Sequence, residues 1–239
     1  MILFCFGSLL RKPASQSFET VLCWGRNPER SEGFAMSSCL IISGGDFSPF
    51  TVPAGAFVIA CDRGYAYAQS CGVRPDLVVG DFDSYSGELD PGIPVQKLPM
   101  EKDDTDTMSA LRFALARGYQ EITLVCALGG RLDHLLANLQ AAVFAARQGA
   151  ALRILGADTE ILTLRSGTLR LPRKEGWSLS VFAAEDRCRG VSIRGAKYEL
   201  QDAELTSDFP LGVSNEWAGP EAVITLREGT LLIVLSRIR

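Results

Sequence analysis

The amino-acid sequence predicts an α/β fold, a mostly parallel sheet with helices on both faces, followed by a C-terminal all-β sandwich domain. From Ser38 to about Asp158, apolar runs of strand length alternate with helical patterns, which is typical of a parallel sheet covered by helices. After Asp158, short runs of alternating polarity follow one another between turn signals, and no pattern of helix length appears.

The predicted parallel strands are continuous apolar runs, as expected for strands that are buried on both faces of a sheet. They are Cys39–Ser43, Phe57–Cys61, Leu77–Val79, Ile122–Ala127 and Leu152–Leu155. The helices predicted between them end at or just before a glycine, which suits a helix C-terminus. They are Arg63–Cys71, Thr107–Arg117 and Leu132–Arg147.

The C-terminal part is predicted to form the sandwich from seven short strands. They are Glu160–Leu164, Thr168–Leu171, Ser178–Ala183, Gly190–Ile193, Tyr198–Leu205, Ala222–Leu226 and Leu231–Leu235. Turn signals separate them at Arg165–Gly167 and Arg194–Gly195, and Arg227–Gly229 is interpreted as a hairpin turn. The predicted domains are therefore residues 36–158 and 159–239.

Residues 1–35 are expected to lie outside the fold, because no helical or strand periodicity follows their apolar start. The first ten residues are apolar and end at Arg11. A membrane span needs about 20 residues, and a secretory signal carries its positive charge before the apolar run. A targeting segment is the alternative interpretation, and the fold is expected to begin near Met36.

Composition excludes several function classes. The chain has 24 basic and 28 acidic residues, a formal net charge of −4, so broad attraction to nucleic acid or anionic membranes is not expected. His134 is the only histidine, which excludes catalysis by several histidines. The seven cysteines are odd in number and form no C-x-x-C pair, which indicates a reducing cytoplasm without disulfides.

The first candidate cluster is Asp81 and Asp83, directly after a strand that ends at Gly80. In an extended chain the two carboxylates point the same way and form a hard oxygen site that suits Mg²⁺. The alternative is an ordinary turn in which the aspartates bond to nearby backbone. This cluster alone leaves both interpretations open.

The second cluster runs from Lys102 to Thr107, at the start of a predicted helix. Capping of that helix explains one or two of its three aspartates. Asp106 is also a candidate third ligand for Mg²⁺, and Lys102 a candidate phosphate contact.

The third cluster, Gly129 to His134, lies between a buried strand and a long helix. Paired glycines, a helix N-terminus and the Arg131 guanidinium are suited to binding an anion. His134 is more often structural than a general base in such a position, since Arg131 and Asp133 can bond to it. The three clusters at successive strand ends indicate metal-assisted phosphoryl chemistry.

Further motifs accompany these clusters in a fixed order. They are Ala60–Gly64, Pro75–Asp76, Gly80–Ser84, Lys102–Asp103, Thr105–Asp106, Gly129–Arg131, Asp133–His134 with Asn138, Gly195–Leu200 and Gly212–Glu216. In this order they resemble the thiamine pyrophosphokinase family from about Ser38 to Ser236. Residues 1–35 have no counterpart in that pattern.

The resemblance implies an enzyme that converts ATP and thiamine to AMP and thiamine diphosphate with Mg²⁺. It also implies an α/β domain joined to a β-sandwich, and a homodimer with the active site at the subunit junction.

The chemistry of the strand-end residues supplies their roles in this reaction. The proposed metal ligands are Asp81, Asp83 and Asp106. Arg131, with the Gly129–Gly130 backbone, would stabilise the charge of the moving phosphoryl group, and Asp133 would orient Arg131 or a nucleotide group. The residues expected to contact the nucleotide are Asp62, Lys102, Thr105, Gly129, Gly130 and Arg131.

The resemblance assigns thiamine to the second domain. Ser214 and Asn215 would hydrogen-bond the aminopyrimidine ring. Trp217 is either a stacking surface for the cationic ring system or an aromatic residue of the sandwich edge or an interface.

Two other functions remain open at this point. The same aspartates would serve a metal-dependent phosphohydrolase that uses water as nucleophile. A non-catalytic nucleotide-binding sensor, whose β domain contacts a partner, is the third hypothesis.

Overall fold

The structure is a computed structural model, and it describes residues 21–23, 38–81, 87–98 and 104–238. The first strands along the chain are β1 (Val21–Cys23), β2 (Ser38–Ile42), β3 (Phe57–Cys61), β4 (Leu77–Gly80), β5 (Val95–Lys97), β6 (Glu121–Val125) and β7 (Ala151–Leu155). The helices between them are α1 (Gly64–Ser70), α2 (Asp106–Ala116) and α3 (Leu132–Arg147).

Strands β2 to β7 form the predicted parallel sheet, in the order β5-β4-β3-β2-β6-β7. Alternate residues of each strand enter different cores. Cys39 and Ile41 pack with α2 and α3, whereas Leu40 and Ile42 pack on the side of α1. The fold class predicted for this half is therefore confirmed.

Helix α3 buries a face of small residues rather than its leucines. Asn138 and four alanines of its second half are buried, while Leu132 and Leu136 are 69% and 52% exposed. Alanines let the helix approach the sheet closely. The leucine spacing in the sequence therefore does not mark the core face in the first turns.

The strand order reverses at β2, which places a crevice at the carboxyl edge of the sheet. The chain first moves from β2 through β3 and β4 to β5, and then returns to β6 on the other side of β2. Open α/β sheets bind ligands at such a topological switch point.

The second half is rich in strands and continues the same hydrogen-bonded network. Its strands are β8 (Thr159–Pro172), β9 (Trp177–Ala183), β10 (Arg187–Arg194), β11 (Leu200–Thr206), β12 (Gly212–Asn215) and β13 (Glu221–Arg237). Strand β8 pairs antiparallel with β7 and so joins this half to the parallel sheet. Its apolar residues form a separate core.

The hairpin predicted at Arg227–Gly229 is wrong. β13 runs through these residues as one strand, with a register shift between Leu226 and Thr230. The shift lies opposite the turn signal at Arg165–Gly167, because Leu226 pairs with Gly167 and Thr230 with Arg165. Two turn signals that face each other bend a pair of strands together, as a β-bulge does, instead of ending them.

The first part of β13 then pairs with β10 and the second part with β9. Strands that bend in this way pass from one layer of a sandwich to the other.

The expectation that residues 1–35 lie outside the fold needs one correction. Val21–Cys23 pair parallel with Thr168–Arg170 of β8. An added edge strand is held by backbone hydrogen bonds, which require no periodic side-chain pattern. Residues 1–20 and 24–37 lie outside the described residues.

Within the described ranges, no helix is both long and apolar enough to cross a membrane.

Gly64 gives a prediction about the sheet edge that carries the crevice. A Cβ atom at this position would lie 2.1 Å from the carbonyl oxygen of Ile42. Helix propensity alone favours Gly64→Ala by about 1 kcal/mol, but the clash with backbone should lower the free energy of unfolding by about 1–3 kcal/mol. Urea denaturation measures the sign, and unchanged or increased stability would contradict the close contact.

Candidate active site

The loops after β2 and β6 lie side by side at the switch point and are joined through their backbones. The amide of Ser43 donates to the carbonyl of Val125 at 2.9 Å, and the amide of Gly45 donates to that of Cys126 at 2.8 Å. The amide of Asp46 donates to the carbonyl of Leu128 at 3.0 Å. These bonds extend the pairing of β2 and β6 beyond the strands and hold the glycine turn beside the first loop.

Gly129 and Gly130 form a turn that requires glycine. Their φ angles are +76° and +67°, in the left-handed region. A Cβ atom on Gly129 would lie 2.0 Å from Oδ2 of Asp46, so the Asp46 carboxylate occupies the space that a side chain would fill. The turn leads directly into the N-terminus of α3, where unpaired backbone amides favour an anion.

Arg131 and Asp133 form an exposed ion pair beside this turn. Nε of Arg131 lies 3.1 Å from Oδ1 of Asp133, and Nη2 lies 2.5 Å from Oδ2. Oδ1 of Asp133 also accepts a hydrogen bond from the backbone amide of His134 at 3.0 Å, which fixes the carboxylate in the first turn of α3. The hydrogen bond from Arg131 lowers the pKa of Asp133 below its usual value. The hydrogen bond therefore favours the charged form of Asp133.

Asn138 ties α3 to the glycine turn. Its buried amide donates from Nδ2 to the carbonyl of Ala127 at 2.8 Å. This contact sets where the helix begins relative to the end of β6.

On the other side of β2, Asp62 lies close to the residue before Asp81. Its backbone has φ +45°, and its amide donates to the carbonyl of Val79 at 3.0 Å. A Cβ atom on Gly80 would lie 3.3 Å from Cα of Asp62. The ends of β3 and β4 therefore lie together in the described residues.

Asp106 is the first residue of α2, and contacts with β2 and β3 fix its position. The Asp106 carbonyl oxygen accepts a hydrogen bond from the thiol of Cys61, with 3.7 Å between sulfur and oxygen. The neighbouring residue Thr107 shares a buried hydrogen bond with Ser43, with 2.7 Å between the two hydroxyl oxygens. Both hydroxyl groups belong to buried residues.

Thr105 caps helix α2, as one of the two interpretations of its cluster anticipates. Its hydroxyl accepts the amide of Met108 at 3.1 Å. A nucleotide contact through this hydroxyl is therefore not needed to explain the residue. Nucleotide binding by Thr105 stays a prediction.

Asp83 and Lys102 lie outside the described residues. The structure therefore describes Asp81 and Asp106 but not the whole proposed ligand set. Among the described residues, no group of three histidine, cysteine or acidic side chains is arranged to hold a metal ion by itself.

In the second domain, the structure favours a structural role for Trp217. The residue is 7% exposed and belongs to the sandwich core. Its indole N–H donates to the carbonyl of Leu171 at 3.0 Å. A ring enclosed in this way offers no face to a ligand, so its assignment as a stacking surface is corrected.

Asn215 also has a structural role that the sequence does not reveal. The side chain is buried, and its Oδ1 accepts the amides of Tyr198 and Glu216, both at 3.0 Å. Its Nδ2 donates to the carbonyl of Tyr198 at 2.7 Å. Asn215 therefore joins two loops.

Ser214 is the exposed member of the pair, with φ +58° and its amide bonded to Oγ of Ser180 at 3.0 Å. Its hydroxyl remains a candidate contact for thiamine.

The buried thiols of Cys39 and Cys126 do not act as nucleophiles at neutral pH. Burial raises the pKa of the Cys39 thiol to about 12, with a smaller contribution from the charge of Asp76. Burial also raises the pKa of Cys126. A thiol is reactive only as its thiolate, so both behave as packed apolar groups at neutral pH.

Asp46 and its neighbour Phe47 are not among the site residues predicted from the sequence. Their signal is the Gly44-Gly45-Asp46-Phe47 run directly after the first strand of the sheet. It matches no phosphate-binding pattern, and its position beside Gly129 depends on a pairing between strands that are about 80 residues apart in the chain.

Comparisons with known proteins agree with this architecture. The family model described as thiamin pyrophosphokinase, catalytic domain, matches residues 52–154. The model described as thiamin pyrophosphokinase, vitamin B1 binding domain, matches residues 167–231.

Individual relatives are more distant. Thiamine pyrophosphokinase of Bacillus subtilis is 25% identical over 184 residues, which are 74% of this chain and 86% of the relative. The crystal structure of the Bacillus subtilis enzyme superposes with a TM-score of 0.78 at 24% identity, covering 84% of this chain and 99% of that one, and shows the shared fold. A thiamin pyrophosphokinase family protein of Enterococcus faecalis is 28% identical with a TM-score of 0.72, covering 85% of this chain and all of the other.

The fold and these matches define a two-domain enzyme. The chain belongs to the thiamine pyrophosphokinase family, because the two family models together cover more than half of it in the order seen here.

The contacts of Asn215 predict different effects for two neighbouring substitutions. Asn215→Ala removes three hydrogen bonds from a buried amide and should lower the free energy of unfolding by about 1–3 kcal/mol. Ser214→Ala removes an exposed hydroxyl and should change it by less than about 0.5 kcal/mol. Denaturant titration of both variants measures the difference, and equal effects would show that Asn215 does not join the loops.

Proposed function

We propose that this protein transfers the pyrophosphoryl group of ATP to the hydroxyl of thiamine, giving thiamine diphosphate and AMP. The observation that carries the proposal is the arrangement at the switch point. Asp62 follows β3, Asp81 follows β4, and Asp106 is the first residue of α2. The glycine turn and Arg131 follow β6. Family membership supplies the two substrates.

In the proposed reaction, the thiamine oxygen forms a bond to the β-phosphorus of ATP. The bond between that phosphorus and the oxygen bridging to the α-phosphate breaks, and AMP leaves with the bridging oxygen. The thiamine hydroxyl proton is released. Because the protein takes little part in the covalent chemistry of such transfers, its residues act mainly by positioning the substrates and by stabilising charge.

The donor set fits Mg²⁺. Carboxylate oxygens are the ligands that this ion prefers, and it commonly takes one or two of them together with substrate phosphates. Asp81 and Asp106 would hold the ion in the described part of the site, with Asp83 as the third proposed ligand. When bound, it neutralises charge on the phosphate oxygens.

Arg131 is proposed to stabilise the negative charge that develops during transfer, together with the amides of Gly129 and Gly130. Its fork of donors matches phosphate oxygens. The ion pair with Asp133 supports the positioning role proposed for that carboxylate, because it holds the guanidinium in an exposed position.

The acceptor is proposed to bind through Ser214, whose hydroxyl is exposed on a loop that Asn215 holds in place. Exposed apolar side chains surround this loop in the sequence, among them Leu211 and Val213. A second exposed apolar pair, Leu132 and Leu136, begins helix α3 directly after Arg131. Apolar patches on both halves of the site support the proposal of a homodimer whose subunits meet there.

A cytoplasmic location is part of the proposal. It is supported by five free thiols, of which all but Cys71 are buried: Cys39, Cys61, Cys71, Cys126 and Cys188.

The transfer reaction predicts that AMP forms only when thiamine is present. Purified protein is incubated with ATP and Mg²⁺, with and without thiamine, and the products are separated by chromatography. We expect AMP and thiamine diphosphate in equal amounts, and neither product without thiamine. Asp106→Asn should lower the rate by at least about 100-fold, because positioning and charge neutralisation weaken together.

Other products would contradict this function. AMP or phosphate released without thiamine would indicate the phosphohydrolase, and ATP binding without turnover would indicate the sensor. Dilution of the protein tests the dimer in the same assay, since activity per subunit should fall when subunits separate. Constant activity through a measured dissociation would place the site within one chain.

A further inference from the structure

The loop from Gly44 to Ser48 is rigid although it carries exposed residues. The Tyr67 hydroxyl donates to the carbonyl of Gly45 at 2.9 Å, and the thiol of Cys126 donates to that of Ser48 at 3.6 Å. Together with the backbone bonds to the loop after β6, these contacts hold both ends and the middle of the segment.

Phe47 is a large apolar side chain presented on this fixed loop. It is 48% exposed, and its ring lies 5.4 Å from the ring of Tyr67 in a tilted arrangement. Tyr67 therefore supports one side of Phe47 and limits its rotation. A fixed and exposed aromatic ring beside an anion-binding turn is suited to stacking on a planar base.

Asp46 precedes Phe47 in the chain and places its carboxylate against the glycine turn. The side chain is exposed and contacts Gly129, and none of the residues that the structure describes forms an ion pair or hydrogen bond with its carboxylate. A carboxylate repels phosphate groups, so its partner in a bound nucleotide must be a hydrogen-bond donor. The hydroxyls of a ribose are donors that lie between base and phosphates.

We propose that Asp46 and Phe47 bind the nucleoside part of the nucleotide. Phe47 stacks on the base, and the Asp46 carboxylate accepts hydrogen bonds from both ribose hydroxyls. This inference rests on the proposed function, because the glycine turn is taken to bind the phosphates. It adds two specificity-determining residues to that site. The order along the crevice is then base on Phe47, ribose on Asp46, and phosphates on Gly129–Arg131.

The test for Asp46 compares ATP with 2′-deoxy-ATP and 3′-deoxy-ATP. A hydrogen bond to a charged acceptor predicts that the parent protein prefers ATP by about 10- to 150-fold in kcat/KM. Asp46→Ala should lose this preference, because kcat/KM falls most for ATP and less for each deoxy analogue, which has only one of the two hydrogen bonds to lose. Asp46→Asn, which keeps the shape of the side chain, should lie between the two. A similar fall for all three nucleotides would overturn the proposal and indicate a metal ligand instead.

The test for Phe47 uses direct binding of AMP, measured by calorimetry without thiamine. Phe47→Leu keeps an apolar side chain but removes the ring, so the dissociation constant should rise about 5- to 150-fold. The matched control is Phe209→Leu, an exposed phenylalanine of the second domain, 65% exposed, which should leave AMP binding unchanged. Equal dissociation constants for the two variants would overturn the stacking role.

Binding of AMP separates this inference from the proposed function. Parent protein that binds AMP through Phe47 but forms no thiamine diphosphate would contradict the transfer reaction and support the nucleoside site. Protein that forms thiamine diphosphate with no effect of either substitution would contradict the nucleoside site alone.

Discussion

The site depends on the pairing of β2 with both β3 and β6. Because all three strands run parallel, their carboxyl ends meet at one edge, and the reversal of strand order at β2 opens a crevice there. The backbone bonds from Ser43 to Asp46 continue the β2–β6 pairing past the strands and bring the glycine turn against the first loop. The acidic residues lie on the β3 and β4 side of this crevice, and Arg131 lies on the β6 side.

The second half is attached by a different device. The antiparallel pairing of β7 with β8 continues the sheet, and the facing irregularities at Arg165–Gly167 and Arg227–Gly229 then bend β8 and β13 together. The bend lets these two strands serve the sheet junction at one end and the sandwich core at the other. The loop that carries Ser214 is supported from within that core, through the hydrogen bonds of Asn215 and the buried ring of Trp217.

Much of the fold could be predicted from the sequence, because buried parallel strands are continuous apolar runs and glycines mark the helix ends. The hairpin prediction at Arg227–Gly229 failed because a glycine-containing turn signal and a bulge look alike until the partner strand is known. The structural contacts of Trp217 and Asn215 could not be predicted, because burial is not visible in a single sequence. Asp46 was missed since its contact with Gly129 exists only after β2 and β6 pair.

The central claim is that the nucleotide binds across the switch point, and a crystal structure with a non-hydrolysable ATP analogue and Mg²⁺ tests it most directly. The account predicts phosphates against Gly129–Arg131 and a metal ion within ligand distance of Asp81 and Asp106. A nucleotide bound elsewhere would contradict it. One alternative in the described part of the chain is a cavity of about 370 Å³ lined by Arg153, Lys174 and Trp177.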